Sequence, residues 1–441
     1  MKYYSTSGSA PLATLEEAVI NGLAPDKGLY LPETIPQMES AFLRELHQLS
    51  LPEVAYEVAA KLFGDDIDRS ELRRIVFETM SFDTPLTAVE KNIYSLELFH
   101  GPTAAFKDVG ARFMARVLGY FTRANREKRI TVLVATSGDT GSAVANGFLG
   151  VPGVDVIVLY PEGLVSDIQE KQFTTLGQNI TALEVRGTFD DCQSMVKSAF
   201  MDSELKMRLN LTSANSINIA RFLPQSFYYV YAYGQIKSIF DKKGSNEIPE
   251  VVFSVPSGNF GNLCAGLVAK KMGLPVKRFI AANNSNDIVF KYLETGKFEP
   301  KASVATIANA MDVGNPSNFE RILNLFSGSH TAMKMEISGR AYNDSQIADT
   351  IKELFKSTGY LADPHGACGY RALKESLSEG ESGIFLETAH PAKFRDTIFD
   401  VAGIDVEIPE RLASFMSGKK QSIPISAGYD ALRSFLKQSH R

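Results

Sequence analysis

Four short apolar, β-branched runs constrain the fold of this chain most strongly. They are ITVLVA (130–135), VDVIVLY (154–160), ITALEVR (180–186) and VVFSV (251–255), and helical patterns separate them. Runs of this kind fit strands buried on both faces, and helix-length connections join parallel neighbours. The expected class is therefore α/β, with parallel sheets covered by helices on both faces. Ser166 is placed to cap SDIQEKQFTTLG, which should end near Gly177. After GTFDD, residues Cys192, Met195, Val196, Ala199 and Phe200 fall on one side of a further helix.

The strand pattern begins at Ile93. Upstream, to about Thr87, the chain reads as mostly helical. Val54, Ala55, Val58, Ala59 and Leu62 make Leu51 to Phe63 amphipathic, and Asp68 can cap a helix running through Leu72, Ile75 and Val76. LYLPETIPQ reads as a loop or extended strand. A chain of 441 residues exceeds one ordinary core. We expect an N-terminal domain at 1–90 and an α/β region at 91–441. The latter divides into a smaller subdomain at about 100–215 and a larger one from the remainder. KKGSNE (242–247) is a surface loop suited to a crossing between subdomains.

Composition excludes several classes. A net charge of −5 without a basic tract argues against nucleic acid as a partner. No apolar segment is long enough to span a bilayer, and no charged region followed by an apolar run opens the chain. Cys192, Cys264 and Cys368 lie far apart without metal-ligand spacing, so no metal site is expected. A reducing cytoplasm fits this usage, with the protein a monomer or homodimer.

Chemistry concentrates in loops. In LFHGPTAAFKDVGARFM (98–114) a run of small residues leads to a single lysine, Lys107. Val109, Phe113, Val117 and Phe121 then recur at steps of four along a helix. A lone lysine is ordinarily a solvated surface residue. At a helix N-terminus, beside Phe106, both the positive potential and partial burial favour its neutral amine. That is the state Schiff-base chemistry with an aldehyde needs. Two Gly-rich loops, TSGDTGSA (136–143) and SGNFGN (257–262), follow strands and open helices. Such loops turn backbone N–H groups toward a ligand at the carboxyl ends of parallel strands. Either alone could equally be a plain turn. Two of them with an isolated lysine fit a phosphate-bearing cofactor.

HGPTAAFKD resembles the pyridoxal-phosphate lysine motif of the threonine synthase family. ATSGDTGSA, NSINIAR, SGNFGN, DPHGA and ETAHPAKF follow in that family's order, and YYSTSGSAPLATLEEAVINGLAPDKGLYLPETIP is similar to its N-terminal domain. The resemblance implies the tryptophan synthase β-like fold, known as fold type II. It implies conversion of O-phospho-L-homoserine and water to L-threonine and phosphate, with pyridoxal 5′-phosphate held on Lys107. Ser257, Gly258, Asn259, Phe260, Gly261 and Asn262 would cup the cofactor phosphate. The Thr388 hydroxyl would face the pyridine nitrogen, where a neutral partner does not force protonation. Thr136, Ser137 and Thr140 would hold the substrate α-carboxylate, and Asn215 and Arg221 its phosphate, which suits the planar fork of arginine. Asp139 stands where a common pattern of the wider superfamily has Asn beside the cofactor 3′-oxygen. Two anions there repel unless one is protonated. His390 reads as structural, and DPHGA as a turn into a helix started by Asp363 or Pro364. A serine or threonine dehydratase of the same fold would lack the phosphate clamp. A ligand-binding relative or a nucleotide module would not need Lys107.

Overall fold

A computed structural model of the chain describes residues 1–123, 129–242, 244 and 249–439. Most of the KKGSNE segment lies outside the described residues. The chain divides into two compact units. The first comprises Met1, Leu31–Phe106 and Phe222–Glu407; the second comprises Lys2–Tyr30, Lys107–Arg221 and Ile408–Arg441.

A six-stranded sheet forms the first unit. Its order is Ile337–Ala341, Val276–Asn283, Glu250–Pro256, Glu381–Glu387, Ile93–Glu97 and Leu86–Glu90. All neighbours are parallel except the last pair, a short antiparallel connection. Helices Asp344–Thr358 and Pro364–Lys374 bury Ile347, Ile351, Ala372 and Leu373 with Val252, Ile280 and Phe385 of the sheet. Leu51–Phe63 is helical with the expected face buried. The Glu53 carboxylate accepts from the Ser50 N–H at 2.8 Å, closing its N-terminus. Asp68 caps Arg69–Thr79 by accepting from the N–H groups of Ser70 and Glu71.

The second unit holds a five-stranded, all-parallel sheet. Its order is Ile423–Ser426, Ile180–Arg186, Val154–Pro161, Ile130–Ala135 and Asn210–Ser213. Ser166 caps Asp167–Thr174, and Gly177 follows in the left-handed region at φ 63°. Cys192, Met195, Val196 and Ala199 of helix Phe189–Met201 pack on Leu133, Ile157 and Leu183, with Leu432 and Leu436 of the closing helix. The helix Leu15–Asn21 is tied here too, because Thr212 Oγ1 and Asn218 Nδ2 both donate to the Val19 carbonyl (3.1 and 2.8 Å). The three cysteines are buried thiols. Among the described residues no helix is long and apolar enough to cross a membrane.

Candidate active site

In the first unit, three adjacent parallel strands, Glu250–Pro256, Glu381–Glu387 and Ile93–Glu97, end side by side. They run out into SGNFGN, the turn at Thr388 and the loop that leads to Lys107. The last two are stitched together by backbone. The Phe106 N–H donates to the Thr388 carbonyl at 2.9 Å, and the His390 N–H to the Ala104 carbonyl at 3.0 Å. Ala105 and Ala389 form an antiparallel bridge between them. Ala104 sits at φ 55° and is fully buried. A non-glycine residue held in the left-handed region signals a backbone fixed by its surroundings, as at functional sites. Lys107, the next residue after Phe106, opens helix Lys107–Arg123 and is half-buried. Val109, Phe113 and Val117 of that helix are buried.

SGNFGN has the expected form, and its donors are partly shaped from within. Phe260 is the second strained residue, at φ 60°, where the loop enters helix Gly261–Lys271. Asn262 Oδ1 accepts from the hydroxyls of Tyr228 (2.6 Å) and Tyr229 (2.8 Å). Its buried Nδ2 has no hydrogen-bond partner. Asn259 Oδ1 accepts from the Ser317 N–H at 2.6 Å, and the Ser257 hydroxyl donates to the Val255 carbonyl at 2.9 Å. A Cβ on Gly258 would stand 2.7 Å from the Ala310 carbonyl oxygen. Glycine is therefore required there by packing against Ala310, besides any approach of a ligand.

In the second unit, TSGDTGSA follows Ile130–Ala135 and opens helix Asp139–Phe148. The Thr136 hydroxyl differs from expectation. It accepts from the N–H groups of Gly138 (2.9 Å) and Gly141 (2.8 Å) and is buried, so it shapes the loop rather than reaching out of it. Ser137 and Thr140 remain half-buried at the rim. Asp139 Oδ1 accepts from Gln169 Nε2 at 2.8 Å. Asn215 Nδ2 donates to the Ala135 carbonyl at 3.1 Å, which brings NSINIAR beside TSGDTGSA at the ends of paired strands. Arg221 is 3% exposed, and its Nη1 donates to the Ala214 carbonyl at 2.8 Å. Burial pulls its pKa down to about 10 and the nearby Asp108 opposes this, so it stays cationic at neutral pH. Gly110 makes room for it, since a Cβ there would lie 2.3 Å from the Arg221 carbonyl oxygen.

Sequence reasoning missed two buried groups beside these loops. Arg321 is fully buried and donates to Asn318 Oδ1 at 2.6 Å, while Asn318 Nδ2 donates to the Asn259 carbonyl at 3.0 Å. Glu387, directly before Thr388, is also fully buried. Its Oε1 accepts from the Asp363 N–H at 2.5 Å. Burial and the adjacent Asp363 carboxylate push the Glu387 carboxyl well above the usual range, favouring its protonated form. Arg321 lies in none of the motifs read from the sequence, and Glu387 opens ETAHPAKF without a role assigned to it. His390 has the structural role expected: its Nδ1 accepts from the Ala392 N–H at 3.1 Å.

The loops of the first unit suit a flat, phosphate-bearing aldehyde. The unpartnered Asn262 Nδ2 stands at a helix N-terminus whose first N–H groups have no intrahelical acceptor, which favours a phosphate. Comparison with known proteins agrees. Residues 81–386 match the family described as Pyridoxal-phosphate dependent enzyme, 2–80 Threonine synthase N terminus, and 366–436 Threonine synthase, C-terminal. The threonine synthase of Haemophilus influenzae is 44% identical over 439 residues, covering 100% of both chains. A crystal structure of threonine synthase from Escherichia coli superposes with a TM-score of 0.92 at 42% identity, covering 100% of both chains. A PLP-bound threonine synthase from Brucella melitensis gives 0.91 at 36% identity, again with 100% of both chains covered. This chain belongs to the threonine synthase family, pyridoxal-phosphate-dependent lyases of fold type II in threonine biosynthesis.

Proposed function

We propose that this chain converts O-phospho-L-homoserine and water to L-threonine and phosphate, with Lys107 as both cofactor tether and proton carrier. The observation that carries this reading is the shared exit of three adjacent strands into the lysine loop, SGNFGN and the Thr388 turn. When bound, pyridoxal phosphate supplies an aldehyde for an amine and a ring that takes up the electrons left by loss of the Cα proton.

The chain's own residues do the rest. Ser257, Gly258, Asn259, Phe260, Gly261 and Asn262 hold the cofactor phosphate, through Asn262 Nδ2 and the N–H groups of the helix N-terminus. Thr388 would offer a neutral hydroxyl to the pyridine nitrogen. Asp139, steadied by Gln169, would stand on the 3′-oxygen side. Ser137, Thr140 and loop N–H groups bind the α-carboxylate in the loop that Thr136 shapes. Asn215 and the cationic Arg221 stabilise the phosphate as it leaves. The Lys107 amine would take the Cα proton and carry the protons that follow, first as base and then as acid. Residues 1–90 act as scaffold or lid, and the protein works in the cytoplasm as a monomer or homodimer without nucleic acid.

Incubation of the holoenzyme with O-phospho-L-homoserine tests the reaction. Inorganic phosphate and L-threonine should appear in equal amounts. Phosphate release without threonine, or turnover confined to unphosphorylated serine or threonine, would reject it.

A further inference from the structure

DPHGA (363–367) has no role in the account so far. Asp363 is the N-cap of helix Pro364–Lys374, accepting from the His365 N–H at 2.7 Å. A cap needs only that one bond. This carboxylate does more. Its Oδ1 also meets His365 Nδ1, and its Oδ2 accepts from the Ala389 N–H at 3.3 Å, just past Thr388. On the other side of the imidazole, Nε2 accepts from the Ala310 N–H at 3.1 Å. That bond fixes the tautomer, because an accepting Nε2 leaves the proton on Nδ1, where it is donated to Asp363. The ring edge packs on Phe394 with centroids 4.9 Å apart, which sets its plane. Ala310 in turn is the residue whose carbonyl lies against Gly258. Asp363 is fully buried and His365 2% exposed, so water does not compete for these bonds.

The sequence around the pair is fitted to it. A Cβ on Gly366 would fall 1.5 Å from Glu387 Oε2, so glycine alone admits the Glu387 carboxyl beside Asp363. The nearby Asp363 carboxylate favours the protonated form of Glu387, which eases the packing of two carboxyl groups in this interior. Glu387 and Ala389, the residues flanking Thr388, are thus both bonded to Asp363.

We propose that Asp363 and His365 form a positioning relay that fixes the Thr388 turn and the Gly258 loop at one spacing, the two ends a rigid cofactor must span. This rests on the reading above in which Thr388 meets the pyridine nitrogen and SGNFGN the phosphate. Neither residue touches reacting atoms in this role. The relay sets cofactor affinity and the electronic environment of the ring.

Two variants separate its arms. In H365N the carboxamide nitrogen replaces Nδ1 and keeps the bond to Asp363, but the side chain is too short to reach Ala310. In D363N the amide oxygen keeps the cap on the His365 N–H, while the amide NH2 group is turned against the Ala389 N–H. Apoprotein is titrated with pyridoxal phosphate while the visible band of bound cofactor is recorded. Loss of a buried hydrogen bond predicts a Kd raised roughly tenfold for H365N. For D363N the band should shift, because the Thr388 turn moves. N343A, which removes the cap of helix Asp344–Thr358, controls for general destabilisation and should change neither readout. If H365N does not fold, D363N carries the test alone. Unchanged Kd and band in the variants that fold, or equal changes in N343A, would overturn the relay. Failure of the unsubstituted protein to bind pyridoxal phosphate would instead overturn the functional reading.

Discussion

The backbone N–H of Phe106 donates to the backbone carbonyl of Thr388 across 2.9 Å. The residue before Lys107 is thereby bonded to the residue proposed to face the pyridine ring, although the two lie in different strand-end loops. Both partners are main-chain atoms, so side-chain changes at Thr388 should leave the junction intact. T388V removes the hydroxyl and keeps the β-branched shape. We expect a thermal midpoint close to the unsubstituted protein, a shifted cofactor absorption band and a lower kcat. An unaltered band would remove Thr388 from contact with the ring.

Gly258 tests the phosphate cup. A Cβ there meets the Ala310 carbonyl oxygen at 2.7 Å and Met311 Cα at 2.8 Å, both backbone. Overpacking of this kind costs about 1–3 kcal/mol. G258A should lower the thermal midpoint and weaken pyridoxal phosphate binding in titration, because the loop and not only its neighbour must shift. Wild-type affinity alongside lowered stability would make Gly258 a packing residue only.

Arg221 is more deeply buried than a surface clamp would be, and this changes what its loss should do. R221A removes a buried cation that the charge of Asp108 favours, together with its hydrogen bond to the Ala214 carbonyl. Stability should fall together with activity. The functional part is read as a ratio: kcat/KM for O-phospho-L-homoserine should drop roughly tenfold to a few hundredfold. Spectral binding of an amino acid that lacks phosphate should persist. R221K should rescue partly, since a point charge lacks the fork. Equal losses for both ligands would make Arg221 structural.

Glu387 gives a pH dependence of defined sign. Its folded-state pKa is raised well above 4.5 by burial and by Asp363. Above the unfolded pKa the unfolded chain has released this proton while the folded chain keeps it. Stability from this group is therefore full at low pH and lost as pH rises toward the folded value. E387Q, neutral at every pH, should flatten that fall. Thermal midpoints of both proteins between pH 5 and 8 should diverge as pH rises, with the variant gaining on the parent. Parallel curves would mean that Glu387 is ionised in the fold.

Much of the architecture was legible because buried parallel strands are continuous apolar runs. Ile130–Ala135 and Ile180–Arg186 have the bounds read from sequence, and Leu51–Phe63 follows its 3.6-residue period. Ile423–Ser426 gave no such signal: it is a short edge strand containing Pro424 and largely exposed. The attachment of residues 2–30 to the second unit rests on Val19 meeting Thr212 and Asn218, contacts far apart in sequence. The motifs located the loops correctly, but not which donors each loop keeps for itself. Thr136 is engaged by Gly138 and Gly141, a consequence of how the turn closes. Asn318 and Glu387 bond to Asn259 and Asp363 on other elements, and Arg321 to the cap of its own helix, so no spacing assigns them a role.

Lys107 is proposed to carry the cofactor and to move the protons. Holoenzyme reduced with borohydride, digested and mapped by mass should carry the pyridoxyl label on the peptide containing Lys107 alone. K107A should retain its fold and show no turnover of O-phospho-L-homoserine. Label on another lysine, or measurable threonine formation by K107A, would contradict the account.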